Sequence, residues 1–279
     1  MAIPGSWSGE AFNPVPESEN RIHGDDVARA YGFRGGLVPG VVVSAYLLHP
    51  AAVAWGAEWL ERGRAHAVVR SPVYDGEPFR VDVENASDRG YEARLVDARG
   101  VHCASAEVEL PASLPAPPVR RGDPELDRGA PRPLASRETL ERLRDGGLLA
   151  RRSLWSERAE ITSYLRAAAA MAPIHRDQRL ANPAFLLGLT NWVLGRNVKL
   201  DAWLHLETWS QHYRAIAPGD ELVVEAAVAD LFEKKGHQFV DLDVAIFGRP
   251  GDAPVAHARL RAIYALRAPG ASCGRDAGA

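Results

Sequence analysis

The four-residue pattern Ile-His-x-Asp occurs twice in this 279-residue chain, at residues 22–25 and again at residues 174–177. Each copy precedes a strongly apolar segment, and each apolar segment precedes a series of strand-like stretches. An apolar helix must be covered on all sides to be stable in water. The repetition therefore predicts two similar halves, each of which buries its own helix.

The helices of the two halves have different boundary signals. In the first half, the apolar helix is expected from Pro39 to about Leu48, continued by a second helical stretch over residues 51–60. In the second half, Asn182-Pro183 precedes an apolar helix over residues 184–194, and Gly195 follows it. Asn at the N-cap, Pro in the first turn and Gly past the end match known helix-capping preferences.

The strand regions also repeat. Turns containing Gly76 and Gly219 lead into alternating strands, and hairpin turns are expected at residues 88–91 and 234–237, where glycine can adopt positive φ. Residues 240–246 alternate between apolar and mostly polar side chains, as on a sheet with one buried face. We expect four or five antiparallel strands per half, wrapped around the helix, with the two sheets joined edge to edge.

The predicted boundaries follow from composition. Residues 1–112 form the first repeat, residues 113–150 a linker with a short helix capped by Ser136, and residues 151–268 the second repeat; residues 269–279 are expected to be disordered. The pair Arg120-Arg121 in the linker is expected to be solvated.

Composition excludes several classes of function. Apolar residues make up 46% and charged residues 25%, as in ordinary globular proteins, and the net charge of −3 gives no reason to expect binding to nucleic acid or anionic membranes. Two cysteines, Cys103 and Cys273, suggest a reducing compartment. The chain shows neither a signal-peptide pattern nor an apolar run long enough to span a membrane. We therefore expect a cytoplasmic protein.

Residues 20–40 carry the chemically most informative pattern. His23 lies on a turn before a short helical segment, and the glycine-rich bend Gly35-Gly36 leads to the apolar helix that begins at Pro39 and Gly40. A histidine can move a proton, and the free N–H groups at a helix start can polarise a carbonyl. Chemistry on acyl thioesters needs these two elements side by side.

In the same segment, Asn20, His23, Asp25, Ala28, Gly32-Phe33 and Val38-Pro39-Gly40 occupy matching places in a known motif. The pattern resembles the hydratase motif of the MaoC-like (R)-specific enoyl-thioester hydratases and dehydratases, roughly D-x-N-P-x-H-x-D, then Ala, Gly-Phe and Val-His-Gly. The resemblance implies an α+β double hotdog fold, with two tandem repeats that each wrap an antiparallel sheet around a central helix. Three positions depart from the family. Ser18 replaces the catalytic Asp, Arg21 replaces Pro, and Pro39 replaces the second His.

The resemblance implies a site built around His23, with Asn20 as an orienting group and the Gly40 amide polarising the thioester carbonyl. Asp25 is more plausible as the N-cap of the following helix than as a direct participant. Glu17 and Glu19 are the nearest carboxylates that could assist His23. His175, whose half lacks the polar partners, is assigned a structural role. The complete candidate set is His23, Asn20, Ser18, Glu19 and Asp25 as catalytic residues and Gly36, Val38 and Gly40 as substrate-binding residues, with no metal site and no cofactor.

Three functions remain open at this point. The first is a MaoC-like hydratase or dehydratase acting on acyl-CoA or carrier-bound acyl groups. The second keeps the cleft but catalyses thioester hydrolysis or an internal, ring-closing addition of oxygen to an alkene. The third is a non-catalytic acyl-binding protein. The partner in the first two cases is an acyl thioester, and a homodimer of double hotdogs is possible.

Overall fold

The computed structural model describes residues 2–122, 132–147, 149–154 and 163–267. Its strands are β1 (Trp7–Glu10), β2 (Arg64–Val69), β3 (Pro78–Glu84), β4 (Gly90–Asp97), β5 (His102–Glu109), β6 (Leu149–Leu154), β7 (Leu204–His212), β8 (Glu221–Lys234), β9 (His237–Arg249) and β10 (Ala253–Ala265). Its α-helices are α1 (Asp25–Ala30), α2 (Gly40–Trp55), α3 (Ala57–Arg62), α4 (Arg137–Gly146), α5 (Pro173–Arg176) and α6 (Pro183–Asn197), with 3₁₀ turns at Arg21–His23 and Ala168–Ala170.

The described strands form one antiparallel sheet in the order β1-β3-β4-β5-β2-β7-β10-β9-β8-β6. The two halves meet where β2 pairs with β7, in a register that sets Arg64 opposite Gln211 and Val68 opposite Glu207. The predicted edge-to-edge joint between two sheets is therefore confirmed. Helix α2 contacts strands β2, β4 and β5, helix α6 contacts β6, β8 and β10, and the two helices also contact each other.

Both central helices are buried because their sequences are apolar nearly all round. In α2, every residue from Val41 to Ala52 is buried, including His49 and Pro50. The helix passes through Pro50 and ends only at Gly56, whose positive φ of 55° separates α2 from α3. The prediction that the helix stops near Leu48 was therefore wrong. Complete burial holds this segment helical although Pro50 cannot donate a backbone hydrogen bond.

Capping predictions had mixed outcomes. Ser136 caps α4 by accepting a hydrogen bond from the Thr139 N–H at 3.0 Å, and Asn182 caps α6 by accepting one from the Phe185 N–H at 3.1 Å, both as predicted. Helix α6 nevertheless continues through Gly195 to Asn197, so Gly195 does not end it. Positive φ occurs at Gly76, Gly219 and Gly236. In the hairpin between β3 and β4, however, Asn85 and not Gly90 has the positive φ.

The pair Arg120-Arg121 is not a solvated patch. The Arg120 Nε donates to Oε1 of the fully buried Glu225 at 2.6 Å, and the Arg121 N–H donates to its Oε2 at 3.0 Å. This part of the linker therefore lies against β8 and provides the partners that a buried carboxylate needs. The predicted C-terminal tail and Cys273 lie outside the described residues, and Cys103 is buried as a free thiol.

Four buried histidines make the fold sensitive to acid. Burial lowers the pKa of His49, His175 and His212 to about 4 and that of His205 to about 3, from an ordinary value of 6.5. Because the folded pKa lies below the unfolded one, the unfolded state binds more protons between these values. The contribution of these neutral rings to stability is therefore complete above pH 6.5 and declines as the pH falls toward 4.

We predict that His212→Gln reduces the proton uptake on unfolding near pH 5 by about one proton, because this ring is neutral only in the folded state. The measurement is the slope of the free energy of unfolding in urea against pH. His102→Gln, which changes an exposed ring, is the control and keeps the wild-type slope. An unchanged slope in His212→Gln would contradict the assignment of a neutral buried imidazole.

Candidate active site

His23 ends the 3₁₀ turn that precedes α1, and its ring is fixed by the backbone that leads into α2. The Nδ1–H donates to the Leu37 carbonyl at 2.7 Å, and the side chain of Asn13 donates to the carbonyl of His23 at 2.9 Å. Because Nδ1 is committed to Leu37, Nε2 is the nitrogen with a lone pair available for chemistry.

Asn20 links this turn to the second half of the chain. Its Nδ2 donates to the Trp203 carbonyl at 3.0 Å and to Nε2 of His23 at 3.2 Å, while its Oδ1 accepts from the Trp203 N–H at 3.3 Å. The amide side chain thus pairs with the backbone of Trp203 as another peptide group would. Asn20 thereby holds His23 against the start of β7, and its role as an orienting group in catalysis stays a prediction.

The first turn of α2 faces the same region. Pro39 precedes the helix, and across the described ranges no group accepts a hydrogen bond from the N–H of Gly40. A Cβ on Gly40 would lie 2.5 Å from the carbonyl oxygen of His205, so only glycine fits where α2 meets β7. The free N–H groups and the helix dipole make this end of α2 partially positive.

His23, Asn20 and the helix start border one cavity of about 140 Å³. Both halves of the chain contribute to its wall. The lining residues are Asn20, His23, Phe33, Leu37, Val38, Pro39, Gly40, Val43, Val69, Arg70, Ser71, Pro72 and Val73 from the first half and Asn191, Trp203, Leu204, His205 and Leu206 from the second. The site is therefore mainly apolar with a few convergent polar groups, as small-molecule sites usually are.

Four residues of the predicted set do not line this cavity. The Ser18 hydroxyl donates to the Asn20 carbonyl, and the Glu19 carboxylate is 81% exposed and paired with Arg132. Asp25 is the first residue of α1 and not its N-cap; its exposed carboxylate accepts from the Gly36 N–H at 2.9 Å and from Arg29. Gly36 therefore has no free amide for a substrate, and its lack of a Cβ allows contact with the His23 carbonyl.

Other lining residues were not found from the sequence. Arg70 is exposed at the end of β2, Asn191 lies within α6, and His205 lies on β7. Arg70 and Asn191 belong to no local motif, and His205 gave no signal beyond a polar residue near a strand. The pairing of β2 with β7 could have directed attention to them, because it brings the start of β7 next to residues 69–73.

The second copy of the motif has a different environment. His175 is buried, its Nδ1 donates to the Leu180 carbonyl at 3.0 Å, and within the described residues its Nε2 has no hydrogen-bond partner. It does not line the cavity described above. The structural role that the sequence suggested for His175 stays a prediction.

The electrostatics of the cavity favour a neutral His23. Burial lowers the pKa of this imidazole, and the bond to the Leu37 carbonyl opposes that shift in part. No carboxylate belongs to the described lining residues, so the cavity lacks the negative partner that would favour an imidazolium. A neutral imidazole is therefore the favoured form of His23 near neutral pH.

The described residues contain no cluster of three His, Cys, Asp or Glu side chains able to hold a metal ion. None of the helices in the described part of the chain is both long and apolar enough to cross a membrane.

No protein-family model and no curated protein matches this sequence. Solved structures do match over nearly the whole chain. A conserved protein of Mycobacterium tuberculosis, described as essential for survival during infection and as a double hotdog fold, is 14% identical; the match covers 94% of this chain and 96% of that one with a TM-score of 0.59.

Two further structures carry descriptions of activity. A provisionally described MaoC-domain dehydratase from Chloroflexus aurantiacus is 11% identical over 96% of this chain and 95% of that one, with a TM-score of 0.56. A provisionally described thioesterase from Novosphingobium aromaticivorans is 12% identical over 95% of this chain and 99% of that one, with a TM-score of 0.54. The predicted α+β double hotdog fold is thereby confirmed, and it is shared by proteins described as dehydratases and as thioesterases.

We predict that Gly40→Ala destabilises the protein by about 1–3 kcal/mol, because its methyl group would overlap the His205 carbonyl oxygen and push α2 away from β7. Urea unfolding measures the change. Gly188→Ala is the matched control within α6, where a Cβ meets no atom within 4 Å. That control should raise stability by roughly 0.5–1 kcal/mol. Equal effects of the two substitutions would rule out the close contact.

Proposed function

We propose that this protein is an enoyl-thioester hydratase or dehydratase whose site lacks the carboxylate of the MaoC-like family. The observation that supports the proposal is that His23, whose Nε2 is bonded only to Asn20, and Gly40, whose N–H has no described acceptor, line one cavity. The first group can move a proton, and the second can stabilise negative charge on a carbonyl oxygen.

In the hydration direction, the oxygen of a water molecule bonds to the β-carbon while Nε2 of His23 takes its proton. The alkene electrons shift onto the thioester carbonyl, and the resulting oxyanion is held by the N–H groups at the start of α2. The imidazolium then returns its proton to the α-carbon as the carbonyl reforms. Dehydration is the same path in reverse. One histidine therefore acts as base and then as acid.

This path requires Nε2 to exchange its partner. The Asn20 amide contacts Nε2 at 3.2 Å, at the long end for a hydrogen bond, while its other two bonds to Trp203 are independent of His23. Water can replace this single contact without releasing Asn20 from β7. The contact with Asn20 therefore keeps the His23 imidazole in a fixed orientation before substrate binds.

The cavity also suggests which thioesters fit. A cavity of 140 Å³ is close in size to an engineered protein cavity that holds benzene, so an acyl group of about four to six carbons is expected. The exposed Arg70 on the lining gives a positive group for the phosphates of coenzyme A or of a carrier-protein arm.

Hydrolysis is the second candidate, since one of the structures with the same fold is described as a thioesterase. It is weaker because the nearest carboxylates of the sequence pattern, Glu17 and Glu19, are exposed and do not line the cavity. A thiol reagent distinguishes the two reactions, because hydrolysis releases free coenzyme A and hydration does not. Ring closure would release neither thiol nor water.

We predict that His23→Ala lowers kcat/KM for hydration of crotonyl-CoA by about 10²–10⁴-fold, the usual contribution of a positioned acid or base. The assay follows the loss of the conjugated alkene and identifies the hydroxyacyl product by mass. His102→Ala removes an exposed imidazole and should retain wild-type activity. A wild-type protein that is inert toward short enoyl-CoA thioesters would refute the proposed function.

We predict that the acid limb of the pH profile of kcat/KM lies below pH 6.5. Burial lowers the pKa of His23, and the neutral imidazole is the active base. Activity should therefore be constant near neutral pH and fall only when the pH drops through the lowered pKa. An acid limb above pH 6.5 would mean that a different group, or a charged partner of His23, controls the reaction.

A further inference from the structure

The second half of the chain brings a hydrogen-bonded set of polar side chains to the cavity wall. Asn191 on α6 and His205 on β7 both line the cavity. Thr208 lies three residues after His205 on β7. His205 also touches the start of α2, since a Cβ on Gly40 would be 3.2 Å from its Cδ2. His205 thus contacts both the Gly40 region and Asn191.

The hydrogen bonds of His205 fix the orientation of Asn191. The Thr208 hydroxyl donates to Nε2 of His205 at 2.6 Å, and the Nδ1–H donates to Oδ1 of Asn191 at 2.8 Å. Both ring nitrogens of this buried histidine are therefore occupied. Its role in this geometry is to hold its two partners.

The Asn191 amide oxygen is used by His205, which leaves the Nδ2 hydrogens for the cavity. No acceptor for Nδ2 occurs among the residues that the structure describes, and Asn191 is only half-buried. Asn191 Nδ2 and the Gly40 N–H both line this cavity, and both are donors without an acceptor among the described residues. Two donors on the wall of one cavity can bind the same acceptor, and a neutral amide does so without the desolvation cost of a charge.

We propose that Asn191 Nδ2 is the second donor of the oxyanion site, that it binds the thioester carbonyl oxygen together with the Gly40 N–H, and that His205 and Thr208 are positioning residues that hold it there. This inference deepens the proposed function and rests on it. It assigns one donor to each half of the chain, so the site is complete only when the two repeats are joined through β2 and β7.

Burial supports the positioning role of His205, because it lowers the pKa of this imidazole to about 3 and keeps the ring neutral throughout the range in which enzymes are assayed. A neutral ring with Nδ1–H can hold the Asn191 oxygen at all of these pH values. The donor geometry should therefore not change with pH.

The test compares Asn191→Ala and Asn191→Asp with Asn197→Ala, a matched control on the same helix whose side chain donates to the Val193 carbonyl and does not line the cavity. Removing one oxyanion donor typically lowers kcat by about 10²–10³-fold. We expect that loss, with little change in KM, in Asn191→Ala. Asn191→Asp, which has no donor and repels the oxyanion, should lose at least as much, and Asn197→Ala should lose nothing.

The positioning residues are tested by rescue. Thr208→Val removes the hydroxyl that fixes Nε2 of His205 and should lower kcat, while Thr208→Ser keeps the hydroxyl and should restore it. Equal kcat in Thr208→Val and wild type would remove His205 and Thr208 from the proposal. Circular dichroism and urea unfolding identify any variant that fails to fold. If one Asn191 variant does not fold, the kcat of the other Asn191 variant tests the proposed donor.

A binding measurement separates this inference from the proposed function. Butyryl-CoA, which has no alkene to hydrate, is prepared with an NMR-active isotope at its carbonyl carbon. Hydrogen bonding should move this resonance downfield in the wild-type complex, and Asn191→Ala should remove part of the shift. If crotonyl-CoA is not hydrated but the shift depends on Asn191, the proposed function fails and the carbonyl site stands. If hydration proceeds normally in Asn191→Ala, or the shift does not depend on Asn191, or butyryl-CoA does not bind, the inference is overturned.

Discussion

The contact between the first residue of α2 and strand β7 connects the elements of the site. Gly40 has no side chain, so the helix start approaches the His205 carbonyl closely enough that a Cβ would overlap it. This approach sets an apolar helix of the first half against a strand of the second. The pairing of β2 with β7 fixes the register of the joint, and Asn20 reinforces it by pairing with the backbone of Trp203. The cavity is the space left at that joint.

The joint also explains how the site can be polar inside an apolar surrounding. Two polar side chains at the wall, those of His23 and Asn191, are each held by one strong hydrogen bond and have a further group facing the site. Nδ1 of His23 donates to the Leu37 carbonyl, and Nε2 has only the 3.2 Å contact with Asn20. The amide oxygen of Asn191 accepts from His205, and its amide hydrogens have no acceptor among the described residues. Groups held in this way need little rearrangement when charge develops on a bound carbonyl, which is the condition for efficient electrostatic stabilisation. The absence of a carboxylate from the described lining residues does not affect these hydrogen bonds.

The parts of the site near each other in sequence were predictable. The turn with His23, the bend that follows it and the helix start at Gly40 lie within about twenty residues, and the structure places His23, Asn20, Val38 and Gly40 around one cavity. The fold was predictable for a similar reason, because an apolar helix and a set of alternating strands appear twice. The catalytic roles of these residues stay predictions.

Site residues were wrongly included or missed because the sequence does not show side-chain directions or contacts between residues far apart in the chain. Ser18 and Glu19 are adjacent to the motif in sequence, but a tight turn and the ion pair with Arg132 direct them away from the cavity. Asn191 and His205 share a cavity with His23 because the two halves of the chain pack against each other, and no local sequence pattern contains that arrangement.

The most direct test of ligand binding between His23 and Gly40 is to follow the NMR resonances of these two residues during a ligand titration. Titration with butyryl-CoA should shift both the amide resonance of Gly40 and the imidazole nitrogen resonances of His23, with one common affinity. A second pocket is lined by residues that include His66 and Trp209. Shifts confined to that pocket, or an absence of shifts at Gly40 and His23, would contradict binding at the proposed site.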